Sequence, residues 1–373
     1  MLEHELLLRL SQSGAISHHP EDCARPQGPP DRAAPAPDLL ASLAGEGSLL
    51  LAVSGGPDSV ALMLLAAQWS RTRPDARIEV ATVDHGLRQN AHDEALLVGR
   101  WARAQGFVHH ILTWEGPKPA ARIQERAREA RYDLLCACAK EIGPECAIVT
   151  AHHADDQAET ILFRLLRGSG VSGLAGMAAS SQRAGVRLLR PLLGASKAEL
   201  ENICVAAGHA FVRDPSNENE KFARAKLRKM SATLEEQGLH AVALRRLGRR
   251  AAQADEALNW CAERAWPAAV LVIEGTQTRF DPAALREAPA EIVQRLLLMD
   301  FRRREGRIPR LDRLERAAET VKEKLKTETN ARIALGSLLI EIGKDAVTLR
   351  PAPPRFRGFA KFETKSRRSA DNV

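Results

Sequence analysis

Short apolar segments alternate with longer amphipathic segments through the first half of the chain, and this alternation constrains the fold more than any other feature. The predicted strands cover residues 49–53, 78–83, 108–114 and 146–151, and the helices that follow them cover residues 59–70, 90–105, 120–142 and 155–166. Short apolar strands separated by helices predict a parallel sheet that is covered on both faces. We therefore expect an α/β fold with a doubly wound parallel sheet that binds ligands at the carboxyl ends of its strands.

The first predicted strand ends in a glycine-rich turn that leads into a helix. The turn has the sequence SGGPDS and comprises Ser54, Gly55, Gly56, Pro57, Asp58 and Ser59. Glycine lets the backbone approach a phosphate, and a helix N-terminus directs N–H groups at an anion. Asp58 is a candidate Mg²⁺ ligand, since phosphate-bound Mg²⁺ is usually held by one or two carboxylates. The alternative is an ordinary turn with a capping side chain, and the complete hexamer favours phosphate binding over it.

This hexamer resembles the pyrophosphate loop of the N-type ATP pyrophosphatases, and it lacks the Gly-Lys-Ser/Thr of a Walker A motif. The resemblance implies that the loop holds the pyrophosphate that ATP releases when it transfers AMP to a substrate. It also implies ATP and Mg²⁺ as cofactors, and the adenine nucleotide α-hydrolase-like fold of that superfamily.

Polar side chains also follow the second and fourth predicted strands. The second strand ends in VDHGLR, where Asp84, His85 and Gly86 supply polar groups and a turn. The fourth strand opens into HHADDQAET, where Asp156 and Glu159 are three residues apart on a new helix and can point into one crevice. Paired carboxylates can hold Mg²⁺ or an ammonium ion, or one of them can act as a base. The two adjacent histidines lack the spacing of the HExxH zinc motif.

Closely spaced arginines form three pairs that could bind a phosphate, a carboxylate or an RNA backbone. The net charge of +7 fits a polyanionic partner. Guanidinium groups one helical turn apart suit a phosphate or a carboxylate. The alternative is a solvent-exposed helix face on which Glu and Arg side chains pair with one another. For Arg128 and Arg131, the spacing alone favours this alternative. The candidates are Arg128 with Arg131, Arg224 with Arg228, and Arg245 with Arg249.

Four motifs in order resemble the tRNA(Ile)-lysidine synthetase family: SGGPDS, VDHGLR, HHADDQAET and RGSGVSGLAGM. The family carries a similar run around Arg128 and Arg131, and it has a DPSN turn followed by an arginine pair. In this chain Ala225 stands where the family usually has Asn, which leaves the role of that position open. The resemblance is specific from residue 48 to residue 230 and looser from there to residue 350.

The resemblance implies the reaction of the family. ATP with Mg²⁺ adenylates the carbonyl oxygen of the wobble cytidine in a tRNA(Ile) that has a CAU anticodon, and pyrophosphate leaves. Free L-lysine then attacks the activated carbon and displaces AMP, which gives lysidine. The catalytic candidates are then Asp156, Glu159 and Asp58: Asp156 and Glu159 suit the lysine ammonium, one of them as the base, and Asp58 suits Mg²⁺. The resemblance also makes the three arginine pairs candidates for binding lysine or tRNA. Members are often dimeric, which makes a homodimer an expectation from the resemblance alone.

Two alternatives to this function stay open. One is another tRNA-modifying ATP pyrophosphatase of the thiolase type, and the absence of a CxxC pair counts against it. The other is a non-catalytic tRNA-binding relative. Loss of an acidic residue or a glycine from the loops would favour this alternative. None of those residues is lost.

Composition divides the chain into four parts. Residues 1–47 are predicted to be an N-terminal extension with a Pro-rich linker, and residues 48–235 the catalytic ATP pyrophosphatase domain. Residues 236–350 are predicted to be a mainly helical tRNA-binding region that ends in short antiparallel strands, and residues 351–373 a basic tail. No apolar stretch is long enough to cross a bilayer, and the N-terminus has acidic residues where a signal peptide is basic. We therefore expect a cytoplasmic protein with no membrane partner.

Overall fold

The computed structural model describes residues 39–88, 90–119, 121–213, 233–304 and 309–352. The chain forms two compact units, divided between Ala252 and Gln253. The predicted binding residues Arg224 and Arg228 lie outside the described residues, as do the Pro-rich stretch and residues 353–373 of the basic tail.

The first unit alternates strand and helix, as the sequence predicts. Its strands are β1 Ser48–Ala52, β2 Arg77–Asp84, β3 Val108–Thr113, β4 Ala147–Thr150, β5 Ser180–Arg183 and β6 Val186–Leu189. Its helices are α1 Pro57–Ser70, α2 Ala91–Ala104, α3 Ile123–Ile142, α4 Ala154–Leu165, α5 Val171–Leu174 and α6 Lys197–Ala206.

The strand order of this sheet decides where the motifs meet. The order is β3-β2-β1-β4-β6-β5, and every pair is parallel except β5 with β6. The chain proceeds from β1 outwards to β3 and then returns to place β4 on the other side of β1. Such a reversal of strand order opens a crevice at the carboxyl ends of the two strands concerned. The loops after β1 and β4, which carry SGGPDS and HHADDQAET, therefore leave the sheet side by side.

Helices cover both faces of the sheet, as a parallel sheet requires. On one face Leu49 and Leu51 of β1 pack with apolar residues of α1, α2 and α6. On the other face Leu50 and Ala52 pack with residues of α3 and β6. All four side chains are buried, which explains why β1 reads as a continuous apolar run instead of an alternating one.

Two parts of this unit are not evident from the sequence. Leu40 and Leu43 are buried in the core, although they belong to the stretch for which composition predicts a linker. The hairpin of β5 and β6 has strands of only four residues, and its turn places Ala184 and Gly185 at φ values of 49° and 81°. Asn-Gly is the usual signal for a two-residue hairpin turn of this kind, and the sequence lacks it here.

The second unit combines helices with an antiparallel sheet, and α7, Ala241–Ala269, begins in the first unit and continues into the second. Its strands are β7 Val270–Glu274, β8 Gln277–Phe280, β9 Ala331–Leu335, β10 Leu338–Ile342 and β11 Val347–Pro351. Its other helices are α8 Pro282–Glu287, α9 Ala290–Arg303 and α10 Leu311–Lys326. The sheet order is β7-β8-β11-β10-β9. The predicted fold class, a doubly wound parallel sheet followed by helices and short antiparallel strands, is confirmed, and the structure adds the β7–β8 hairpin, which the sequence patterns do not indicate.

Among the described residues, none of the helices combines the length and the apolar character that a membrane span requires.

Candidate active site

The SGGPDS turn is closed onto the first turn of α1 by its serines. The backbone N–H of Ser54 donates to Ser59 Oγ at 3.1 Å, and the Ser59 hydroxyl donates to the Gly56 carbonyl oxygen at 2.9 Å. Gly55 has a φ of 88°, a backbone conformation that residues other than glycine rarely adopt. A Cβ on Gly55 would lie 3.1 Å from Val98 Cγ2 and 3.3 Å from Val212 Cγ2. The turn thus needs glycine at this position, and it leaves the start of α1 open for an anion.

Asp58 lies in the first turn of α1 and carries a carboxylate oxygen that needs a partner. Its Oδ1 atom is buried and has no hydrogen-bond partner among the described residues. Burial raises the pKa of the Asp58 carboxyl and the nearby Asp156 carboxylate adds to the rise, while His153 and Lys197 oppose it. Buried polar atoms are rarely left unpaired, so this oxygen fits a bound cation. Mg²⁺ suits the position because it commonly takes one or two carboxylates and completes its coordination with substrate phosphates and water.

His153 joins this loop to α4, which begins one residue later. The side chain is buried and caps the helix, with Nδ1 accepting the backbone N–H groups of Asp155 and Asp156 at 3.2 and 3.4 Å. Asp156 Oδ2 accepts the backbone N–H of His153 in return, at 3.1 Å. The other ring nitrogen, Nε2, lies 3.7 Å from Asp58 Oδ2 and 3.5 Å from Asp156 Oδ2. The predicted metal ligand and one of the two predicted catalytic acids therefore flank a single imidazole.

Asp156 and Glu159 lie one turn apart on α4, and both are half-buried. Asp155, which precedes them, has a different task, since its Oδ2 accepts the backbone N–H of Lys197 at 2.8 Å and ties α4 to the start of α6. The backbone N–H of Ala154 makes a second link, to the Ala195 carbonyl oxygen at 2.7 Å. These two contacts attach the start of α4, the helix that carries both acids, to the start of α6.

The VDHG turn after β2 is organised by Asp84. Asp84 Oδ1 accepts the backbone N–H of Gly86 at 2.8 Å, and Oδ2 lies 3.4 Å from His92 Nδ1. The side chain of Asp84 is thus engaged in shaping the turn, and Gly86 adopts a φ of 59° within it. His85 has a buried Nδ1 with no hydrogen-bond partner in the described part of the chain. Burial lowers the pKa of His85, and the nearby cation of Arg131 lowers it further.

A basic group lies beside the two acids of α4. The pKa of His152 is lowered to about 4, mainly by burial and also by the neighbouring Arg131, Arg128 and Arg190, whereas Asp156 opposes the shift. The imidazole is therefore neutral near pH 7, and the positive charge here belongs to the three arginines. Since Arg131 also acts on His85, it lies near the motifs that follow β2 and β4.

The Tyr132 ring lies against one arginine of this group, Arg128, and against Arg183. The Arg128 guanidinium lies 5.2 Å from the centroid of the Tyr132 ring and the Arg183 guanidinium 4.9 Å from it, both within cation–π range. Arg190 bonds the Ala178 carbonyl oxygen and Ser181 Oγ through Nη1, at 2.7 and 3.1 Å, while its Nε is buried without a hydrogen-bond partner among the described residues. The predicted residues Arg128 and Arg131 both act on His152, which directly precedes His153 in the chain.

The arginines of α7 have different environments. Arg245 is half-buried near Glu199, and its Nε is buried without a hydrogen-bond partner in the described ranges. Arg249 is exposed, as are Arg246 and Arg250. Helix packing explains the difference, because Leu244, next to Arg245, belongs to the core that α7 forms with α4.

Comparison with known proteins shows the family to which this chain belongs. The family model described as the PP-loop domain matches residues 34–233. The tRNA(Ile)-lysidine synthase of Bradyrhizobium sp. (strain BTAi1 / ATCC BAA-1182) is 43% identical over 346 residues, which cover 88% of this chain and 96% of the relative. The tRNA(Ile)-lysidine synthase of Methylobacterium sp. (strain 4-46) is 42% identical over 341 residues, covering 90% and 98%. This chain belongs to the tRNA(Ile)-lysidine synthase family.

The structural similarity of this chain to a solved structure is weaker than its sequence similarity to the lysidine synthases. A U34-tRNA thiolase from Methanococcus maripaludis, solved with its 4Fe–4S cluster, shares 16% identity and a TM-score of 0.48. The match covers 56% of this chain and 74% of the thiolase. Similarity at this level says nothing about activity.

Sequence reasoning missed two residues of the site in this lysidine synthase family member. The adjacent histidines suggest only a zinc ligand, and the sequence does not indicate the capping role of His153 because Ser, Thr, Asp and Asn are the usual N-cap residues. Lys197 has no motif around it, yet its cation acts on Asp58. The one signal for the role of His153 is its position two residues before the predicted helix of residues 155–166.

Proposed function

We propose that this protein is a tRNA(Ile)-lysidine synthase that acts on the wobble cytidine of a tRNA(Ile) with a CAU anticodon. The observation that carries the proposal is the meeting of two motifs: the phosphate-binding turn after β1 and the acidic start of α4 flank the His153 imidazole, with Nε2 at 3.7 Å from Asp58 and 3.5 Å from Asp156. A phosphate site beside paired acids suits an enzyme that activates one substrate with ATP and then adds an amine.

The first step needs a site for the triphosphate. The SGGPDS turn and the N-terminus of α1 would bind the phosphates, and Gly55 keeps the backbone open to them. Mg²⁺, held by Asp58 and the phosphates, would neutralise charge there. The cytidine carbonyl oxygen attacks the α-phosphorus, a P–O bond breaks, and pyrophosphate leaves from the turn. Donors placed in advance stabilise the charge that develops on that leaving group.

The second step needs a site for a cation that later gives up a proton. Asp156 and Glu159 would hold the lysine ε-ammonium ion, and one of them takes its proton, so that the neutral amine attacks the activated carbon. A C–N bond forms, the C–O bond to AMP breaks, and AMP leaves. The capping contact of Asp156 uses Oδ2, so Oδ1 would be the atom that binds the ammonium ion.

The arginines supply the remaining recognition. Arg128 and Arg131 would bind the lysine carboxylate or a phosphate of the tRNA, for which the planar guanidinium group is suited. The exposed Arg249 would contact the RNA backbone, and we propose the same for Arg224 and Arg228. Arg245 is the weakest of these candidates, because it is half-buried. The cytoplasmic location and the homodimer that the sequence predicts stay predictions.

An assay with carbon-14-labelled lysine and bulk bacterial tRNA tests the proposed function. We expect label to enter tRNA only when ATP is present. A thiolase would incorporate no lysine, and a non-catalytic relative would bind tRNA without labelling it. Either result, obtained with protein that is folded and binds tRNA, would overturn the proposal.

A further inference from the structure

His153 occupies the junction between the two motifs, but neither step proposed above gives it a task. Only 6% of its surface is exposed. Its Nδ1 atom accepts two backbone N–H groups at the start of α4, those of Asp155 and Asp156. A ring nitrogen that accepts these bonds carries no proton, so the proton of the neutral imidazole is on Nε2.

The Nε2–H group faces the Asp58 and Asp156 carboxylates, which come from different parts of the chain. Asp58 follows β1 and Asp156 follows β4. Their Oδ2 atoms lie 3.7 and 3.5 Å from Nε2, slightly beyond hydrogen-bond distance. Contacts of this kind commonly shorten when substrates enter the site. The His153 ring is rigid, and its Nδ1 is anchored by the cap, so Nε2 is a fixed point between the two acids.

We propose that His153 is a positioning residue whose Nε2–H sets the spacing between Asp58, on the phosphate side of the site, and Asp156, on the lysine side. This inference rests on the proposed function and assigns a task to a residue outside it. The activated carbon and the attacking amine must be aligned closely, because small misplacements slow such reactions greatly. The competing interpretation is that His153 does no more than cap α4.

Two substitutions separate these interpretations, because asparagine and glutamine each imitate one ring nitrogen. His153→Asn keeps an acceptor near the position of Nδ1, so it retains the cap and loses the donor at Nε2. His153→Gln places an amide N–H near the position of Nε2 and loses the cap. We expect H153N to keep the melting temperature of the wild type while its kcat for lysidine formation falls by about 10- to 100-fold, as for other residues that orient catalytic groups. We expect H153Q to melt at a lower temperature and yet to turn over at least tenfold faster than H153N.

If His153 only caps α4, the two variants should rank in the opposite order of kcat, with H153N active and H153Q impaired. The ratio of AMP released to lysidine formed provides a second readout. If the two halves of the site lose their alignment, water attacks the activated carbon in place of lysine, releases AMP and restores cytidine. We therefore expect the ratio to rise above one in H153N.

Wild-type kcat and an unchanged ratio in H153N would overturn the proposal. So would a folded H153Q that turns over no faster than H153N. Absence of lysine incorporation by the wild-type protein would overturn the proposed function itself, and this inference with it.

Discussion

The backbone N–H of Val212 donates to the Gly55 carbonyl oxygen at 2.8 Å. The same valine places its Cγ2 atom 3.3 Å from the point where a Cβ on Gly55 would lie. The segment just before the DPSN sequence thus holds the phosphate-binding turn from one side, while Val98 of α2 holds it from the other. The turn is enclosed by packing as well as by its own hydrogen bonds.

Gly55→Ala is expected to destabilise the protein and to abolish ATP binding. Alanine at a φ of 88° is strained by about 1–2 kcal/mol, and the added methyl group would also press on Val98 and Val212. Urea unfolding and ATP titration measure the two effects. Gly45→Ala is the matched control, because no atom lies within 4 Å of its added Cβ. Wild-type ATP affinity in G55A would contradict the role of the turn.

Asp156→Asn is expected to abolish lysidine formation while the Kd for tRNA stays near that of the wild type. The amide keeps the shape of the carboxylate but cannot attract an ammonium ion or accept its proton. Filter binding with tRNA and the labelled-lysine assay give the two values. The exposed Asp75 offers a control of the same chemistry, and D75N should behave as the wild type. Normal turnover by D156N would remove Asp156 from the lysine site.

The stability of the protein is expected to fall between pH 6.5 and pH 4 partly because of His109. Burial lowers the pKa of His109 from 6.5 to about 4, with Arg103 and His110 adding to the shift, and Thr82 Oγ1 lies 2.9 Å from its Nε2. As the pH falls below 6.5 the unfolded chain binds this proton first. The contribution of neutral His109 to the free energy of unfolding is therefore complete above pH 6.5 and is lost as the pH falls towards 4.

His109→Gln checks this contribution, since the amide can still bond Thr82 but does not titrate. Urea unfolding at pH 7 and pH 5 should show a smaller loss of stability in H109Q than in the wild type. An equal loss in both proteins would mean that other groups cause the acid sensitivity.

The second unit contains a buried ionic network whose loss is expected to be costly. Asp300 and Thr278 are fully buried; Asp300 Oδ2 accepts from Arg304 Nε at 2.6 Å, and Thr278 donates to Oδ1 at 2.6 Å. Asp300→Ala leaves the guanidinium of Arg304 without that partner, which costs about 3–5 kcal/mol in comparable cases. Urea unfolding measures this difference.

The exposed pair of Arg316 and Asp312 on α10 is the control for this network, with side chains 69% and 61% exposed. Solvent screens such pairs, so Asp312→Ala should change the stability by only about 0–1 kcal/mol. Similar losses in D300A and D312A would show that burial of the network does not contribute as described.

The sequence predicts the elements of the first unit better than their arrangement. Strands such as β1 and helices such as α1 are evident because a buried strand gives a continuous apolar run and a helix its own spacing. The placement of β4 beside β1 depends on long-range pairing, which local patterns do not encode. Short polar strands such as β5 lack the apolar content that identifies a strand.

Some residues of the site can be predicted from local sequence motifs, whereas others depend on contacts between distant parts of the chain. Ser54–Ser59, Asp156 and Glu159 are predicted because each motif carries its chemistry within a few adjacent residues. The task of His153 depends on contacts with Asp58, which is 95 positions earlier in the chain. The half-burial of Arg245 depends on how α7 packs on α4, so the sequence treats Arg245 and the exposed Arg249 alike.

The most direct test of the proposed function measures two products in one reaction. The protein is incubated with ATP, lysine and an unmodified tRNA(Ile) transcript with a CAU anticodon; nucleosides are analysed by mass spectrometry and AMP is quantified. We predict lysidine at the wobble position, with one AMP released for each lysidine formed. A folded protein that binds this transcript but forms no lysidine, or that forms it with release of ADP instead of AMP, would contradict the account.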